Sequence, residues 1–189
     1  MHNLLDKPRG TTLALFGHGG LGGEAAQRFA KAELATRVRA GAAAFNARRL
    51  SEAVEHLEVA LRLMDRSSQI QSAPADSKYL DGALLFLANA YTLLEDYPRA
   101  VPRMERLLAL RRGAVEELRG KKGAQKELLA AQARLVQALQ AMAWLRMRSE
   151  QFDLGLAVNQ QAIDLCLAVK RPLLAQPADE AVVGAADAG

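Results

Sequence analysis

Residues 85–107, LFLANAYTLLEDYPRAVPRMERL, carry the reading that decides the fold. With Leu84 placed in front, Leu84, Leu87, Ala88 and Tyr91 fall on one stripe at helical period. Glu95-Asp96-Tyr97-Pro98 then interrupts the pattern. Asp96 has the side chain of an N-cap, and Pro98 suits the first turn of a new helix. A second stripe follows through Val101, Met104, Leu107 and Leu108. Two amphipathic helices on so short a turn must pack antiparallel. Ala88 and Ala100 stand at the predicted crossing, where small side chains let the backbones approach.

The pattern recurs on both sides. Upstream, Gly41-x2-Ala44 and Ala53-x3-Leu57-x2-Ala60 occupy the same positions, with Arg37 where the central unit has Leu84. Downstream, Leu139-x2-Met142-Ala143-x2-Arg146 and Gly155-x3-Asn159-x2-Ala162 form a third unit, with Phe152 in the place of Tyr97. Within each unit the same interval separates the two halves: Ala44 to Ala53, Tyr91 to Ala100, Arg146 to Gly155. Three amphipathic hairpins in phase predict an all-α fold.

The central unit resembles a tetratricopeptide (TPR) repeat: a large residue, x2-L-[GA]-x2-Y, then A-x3-F. Here these read Leu84-x2-Leu87-Ala88-x2-Tyr91, then Ala100-x3-Met104-x2-Leu107, and Tyr97 matches a frequent aromatic of the inter-helix turn. The closing proline of the family is missing, because Arg111-Arg112 continues the helix. The units are 47 residues apart (Ala53 to Ala100) and then 55 (Ala100 to Gly155), against about 34 in the common form. Longer helices of this kind are similar to the extended repeats of kinesin light chains and LGN-like adaptors. The resemblance spans about residues 30–170. It implies an α-solenoid: a TPR-like array of three antiparallel hairpins.

Composition sets the bounds. The 189 residues are 50% hydrophobic but only 5% aromatic, so Ala and Leu must build the packing. Few β-branched residues among abundant Ala, Leu, Arg and Glu favour helix. No run approaches the apolar length of a membrane span, so no membrane association is expected. Cys166 is the only cysteine, which excludes an intrachain disulfide and a cysteine metal cluster. Together these predict a cytoplasmic setting. The net charge of +4 is mildly basic.

Three segments are expected: 1–22 a flexible Gly-rich lead-in, 23–171 the TPR-like helical domain, and 172–189 a disordered tail. Ser67–Ser77, with Pro74, reads as a surface loop, and Gly120-Lys121-Lys122-Gly123 as a break. Ser51 is expected to cap the second helix, and Pro172 to end the last.

The lead-in invites a nucleotide reading. Thr11–Phe16 has the composition of a short strand, and Gly17-His18-Gly19-Gly20-Leu21-Gly22-Gly23-Glu24 leads into an Ala-rich helix. A strand, a glycine turn and a helix N-terminus can cradle phosphate. The stretch resembles the P-loop of NB-ARC-type NTPases, some of which carry TPR arrays. Here Gly23 replaces the lysine that reaches the phosphates and Glu24 replaces the hydroxyl that holds Mg²⁺. A dinucleotide turn would need a second strand and an acid further on, and the sequence continues as helix instead. No cofactor is expected; a remnant or fragment of such an NTPase is the rival reading.

No constellation argues for an enzyme. His2, His18 and His56 are scattered, and His56 with Glu52 makes only two members of a metal site. Cys166 sits in an apolar helix as a small hydrophobe. Arg99, Arg103 and Arg106 share a face, extended by Arg111-Arg112, Arg119, Lys121-Lys122 and Lys126. Without interleaved aromatic residues, this surface is expected to be a solvated face more than a nucleic-acid site, although a basic helical nucleic-acid-binding protein stands as a further alternative.

The expected work is protein–protein interaction, as a scaffold or adaptor. By the family's geometry, first helices of successive hairpins line a concave groove. By position it would present Val38, Ala42 and Asn46, then Leu85, Asn89 and Thr92, then Gln137, Gln140, Trp144 and Arg148. Of these, Asn46, Leu85, Asn89, Gln137, Gln140, Trp144 and Arg148 are the candidate peptide-binding residues. Asn89 holds a position where the family often places an asparagine that binds peptide backbone. Val38 and Ala42 stand where chaperone-binding members need Lys and Asn, which argues against capture of an acidic C-terminus. Amides and apolar groups suit an extended or helical peptide of another protein. The lack of an obvious polar capping helix also suggests a fragment of a longer array or a self-associating unit.

Overall fold

The computed structural model describes residues 21–70 and 77–174. These form six α-helices: α1 (Leu21–Asn46), α2 (Leu50–Ile70), α3 (Ser77–Leu93), α4 (Tyr97–Leu118), α5 (Gln125–Arg148) and α6 (Phe152–Leu174). No strand occurs among the described residues. The expected strand at Thr11–Phe16, the lead-in up to residue 20 and residues 175–189 of the tail lie outside them.

Each helix packs on the next in sequence, and α3 also touches both α1 and α5. The odd-numbered helices therefore lie side by side. The even-numbered helices are linked by side chains. Arg103 of α4 meets Glu58 of α2 at 3.1 Å, Arg106 meets Asp65 at 2.7 Å, and Arg112 reaches Gln161 of α6 at 3.2 Å. One continuous core runs between the two rows, from Leu34 and Val38 through Leu57, Leu84, Leu87, Tyr91, Met104 and Leu107 to Leu139, Leu145 and Ala162.

The small-residue crossings are where the spacing put them. Ala88 and Ala100 are fully buried. In the first hairpin, a Cβ built on Gly41 would come within 2.5 Å of Leu57 Cγ and 3.3 Å of the Ala53 carbonyl. In the third, a Cβ on Gly155 would lie 3.2 Å from the Ala143 carbonyl.

The turns inside the hairpins share one geometry. Arg48, Glu95 and Glu150 each adopt a left-handed conformation, with φ near 60°. At each turn the left-handed residue donates its N–H three residues back (Arg48 to Phe45, Glu95 to Thr92, Glu150 to Met147), and the next donates five back (Arg49 to Ala44, Asp96 to Tyr91, Gln151 to Arg146). This is the Schellman arrangement, which satisfies the last carbonyls of a helix. The three turns are spaced as the sequence units are. The α4–α5 junction differs: Gly120 and Gly123 carry φ of +81° and +80°, as the expected break requires.

Several boundaries differ from expectation. α1 begins at Leu21, so Gly22, Gly23 and Glu24 are helical and not part of a loop. The Ala-rich run that follows propagates helix back through the two glycines, at about 1 kcal/mol each relative to Ala. α2 starts at Leu50, so Ser51 is inside its first turn, at the position Pro98 holds in α4. α2 also continues through Ser67 to Ile70, because nothing in that stretch forbids helix before Pro74. α6 continues through Pro172 to Leu174, and α4 accommodates Pro102. Both prolines lie near a helix end, where one forfeited backbone bond leaves little helix to be bent.

Candidate functional site

The odd-numbered helices build the candidate surface. Phe45 near the end of α1 and Phe86 of α3 meet with ring centroids 5.4 Å apart and tilted, a favoured aromatic geometry that pins these two helices together. Arg148 at the end of α5 reaches back to Glu95 in the α3–α4 turn at 2.9 Å. Both groups of that pair are largely exposed, so it contributes under about 1 kcal/mol to stability. It ties the surface ends of α5 and of the α3–α4 turn together.

The expected groove residues divide into two sets. Asn46, Gln137, Gln140, Trp144 and Arg148 are exposed, and Leu85 and Asn89 are half-buried. Trp144 leaves 41% of its surface in solvent, unusual for so large a ring. Val38 and Thr92 do not line a surface: both are buried, and Thr92 Oγ1 donates to the Ala88 carbonyl at 2.7 Å. The hydroxyl is satisfied within its own helix, so nothing keeps the short side chain at the surface. Gln137 is partly occupied, since its Oε1 accepts from Arg111 at 3.2 Å. Sequence reasoning missed Leu94 and Met147, both exposed and flanking the Glu95–Arg148 pair. Met147 stands at the position of Thr92 in the central unit, and that spacing would have found it.

The basic stripe is matched by carboxylates. Arg99 pairs with Asp96, Arg103 with Glu58 and Arg106 with Asp65. Arg99 holds the Asp96 carboxyl below its usual range by hydrogen bonding, and Asp96 also accepts from the Arg99 backbone N–H at 3.2 Å, as an N-cap should. Arg111 is buried and takes no part in a basic surface. It makes a two-pronged bond to Asp81 at 2.7 Å and donates to the Arg134 carbonyl, so it joins α3, α4 and α5.

Tyr91 sits in a second cross-helix network. Its hydroxyl donates to Glu58 Oε1 at 3.0 Å, the same oxygen that Arg103 reaches. Arg99 lies over the ring at 4.6 Å. Burial, then the hydrogen bond to Glu58 and its charge, raises the Tyr91 phenol above its ordinary value, against the opposing influence of Arg99.

His56 lies 3.9 Å from Glu52 and its Nδ1 is 3.4 Å from Arg37. Among the described residues no three His, Cys, Asp or Glu side chains converge in a way that would hold a metal, and no helix is long and apolar enough to cross a membrane. Protein-family models, curated proteins and solved structures were all compared with the chain, and none of them matches it.

Proposed function

We propose that this protein is a TPR-like interaction module that holds a peptide of another protein against the face made by α1, α3 and α5. The observation that carries this reading is the exposed Trp144 with Gln140 and Arg148 on α5, beside Asn89 and Leu85 on the adjoining α3. An exposed tryptophan supplies a large apolar anchor, and free amides can pair with a peptide backbone without demanding one side chain. The internal pairing of Arg99, Arg103 and Arg106 argues against a polyanion as the main ligand, because those charges are already met by carboxylates. Of the glycine-rich stretch, Gly17–Gly20 lie outside the described residues.

The test uses the partner recovered by affinity capture and compares two variants by titration. Trp144→Ala with Asn89→Ala should weaken binding at least about tenfold, in the range of hot-spot losses. Arg99→Ala with Arg106→Ala should change it little. If the arginine variant loses binding and the Trp144/Asn89 variant keeps it, the ligand sits on the even-numbered helices and the reading is abandoned.

A further inference from the structure

The two ends of the helix stack leave faces that the interior covers. The repeat spacing puts Leu61, Leu108 and Ile163 at one position of α2, α4 and α6. Leu61 and Leu108 are 3% and 5% exposed, whereas Ile163 is 44% exposed. Val54 and Val101 pack against the core, and their counterpart Leu156 is exposed. Leu50 and Tyr97 are half-buried, and their counterpart Phe152 is exposed. α3 follows α2 and covers it, and α5 does the same for α4; among the described residues α6 is covered by α5 but by no following helix. Asn159 is the polar exception, at the place of Leu57 and Met104.

The other end shows the reverse half of the same interface. Ala83 and Ala138, fully buried in α3 and α5, correspond to exposed Thr36 in α1. Ala90 and Leu145, also buried, correspond to exposed Ala43. Phe29, Ala32, Thr36 and Ala40 line a shallow depression there, together with Glu33, Arg37 and His56.

We propose that the protein self-associates head to tail, the outer stripe of α6 (Phe152, Leu156, Ile163) seating on the outer face of α1 in a second copy. The contact continues the packing by which α4 meets α5, so each face meets the kind of surface its equivalents already bury. Repeat position, not charge, selects unlike ends: α6 carries Asp153 and Asp164 but also Lys170 and Arg171, and α1 carries Glu33 beside Lys31 and Arg39. The α6 stripe corresponds to surfaces that α3 and α5 cover, and α1 corresponds to those covering helices, whereas a contact of α6 with α6 has no counterpart within the chain. A head-to-tail contact does not close on two copies; it propagates into an open chain or a ring. This inference does not depend on what the α1–α3–α5 face binds.

Sedimentation velocity on the full chain tests it, from low micromolar to several hundred micromolar. The weight-average mass should rise with concentration. Leu156→Glu/Ile163→Glu should weaken association at least about tenfold, because it buries unpaired charge in the contact. Thr36→Glu/Ala43→Glu should do the same from the other side. All four positions are exposed, so helicity and melting should match the parent. Mixing the two variants should then give a one-to-one dimer and nothing larger, since each keeps the face the other lacks. A mass independent of concentration in the parent chain overturns the proposal without any variant. So does loss of association in the α6 variant alone, which would indicate an α6–α6 contact, or failure of the mixed variants to pair.

Discussion

At position 111 an arginine stands where the first hairpin has Met64 and the third has Cys166. Its partner Asp81 likewise stands where the others have Leu34 and Val136. The central hairpin thus replaces an apolar contact with an ion pair, and the pair also holds the Arg134 carbonyl and Gln137. Removing one partner should be costly and removing both should not. Arg111→Met alone should lose about 2–4 kcal/mol, somewhat under the ~3–5 of a wholly buried pair, because Asp81 is partly exposed. Asp81→Leu/Arg111→Met should recover most of that loss, as read by urea unfolding; equal losses would mean the ion pair is not what holds α3 to α4. Tyr91 gives a pH test. Its phenol is raised in the folded protein, so the stability that it contributes is fully present below about pH 10, the ordinary tyrosine value, and is lost as pH rises through the folded value. Unfolding free energy should fall as pH rises above about 10, and Tyr91→Phe should flatten that fall. An unchanged slope would remove Tyr91 from the alkaline transition.

At the scale of the element, each hairpin combines a left-handed turn residue with a small residue at the crossing. The turn uses Arg48, Glu95 and Glu150, none of them glycine, although left-handed backbone disfavours a side chain. The geometry is held by the two backbone bonds of the turn and by the packing behind it. The crossings are less forgiving. Gly41 occupies the position of Ala88 and Ala143, yet it faces the branched Leu57, whose Cγ a new Cβ would approach to 2.5 Å. Gly41→Ala should therefore destabilise by about 1–3 kcal/mol despite the better helix propensity of alanine. If it melts at or above the parent temperature, the first crossing is looser than drawn.

Across the whole molecule, the two rows of helices divide their duties. Even-numbered helices exchange ion pairs between hairpins, while odd-numbered helices keep amides, an exposed Trp144 and exposed Met147 at the surface. Peptide binding on the odd-numbered face should therefore weaken only modestly with salt, since Arg148 is the one cation among the candidate residues. A steep salt slope in the same titration would point to the even-numbered face and a polyanionic partner.

The sequence by itself determined what depends on neighbours along the chain. Helical stripes, the Asp96 cap, the Gly120 and Gly123 break and the spacing of the hairpins all follow from local periodicity and backbone preference. Small residues at Gly41, Ala88, Ala100 and Gly155 marked the crossings for the same reason, because one turn geometry fixes which residues face each other. What only the tertiary structure decided is the fate of residues whose partners lie far along the chain. Arg111 and Arg112 read alike, but Arg111 is buried on Asp81 while Arg112 reaches Gln161 at the surface. Thr92 and Asn89 read alike as groove residues, but only Asn89 reaches the surface. The exposed stripe of α6 reads as core by its period. Only the packing shows that the surface which would cover it, as α3 covers α2, is not among the described helices.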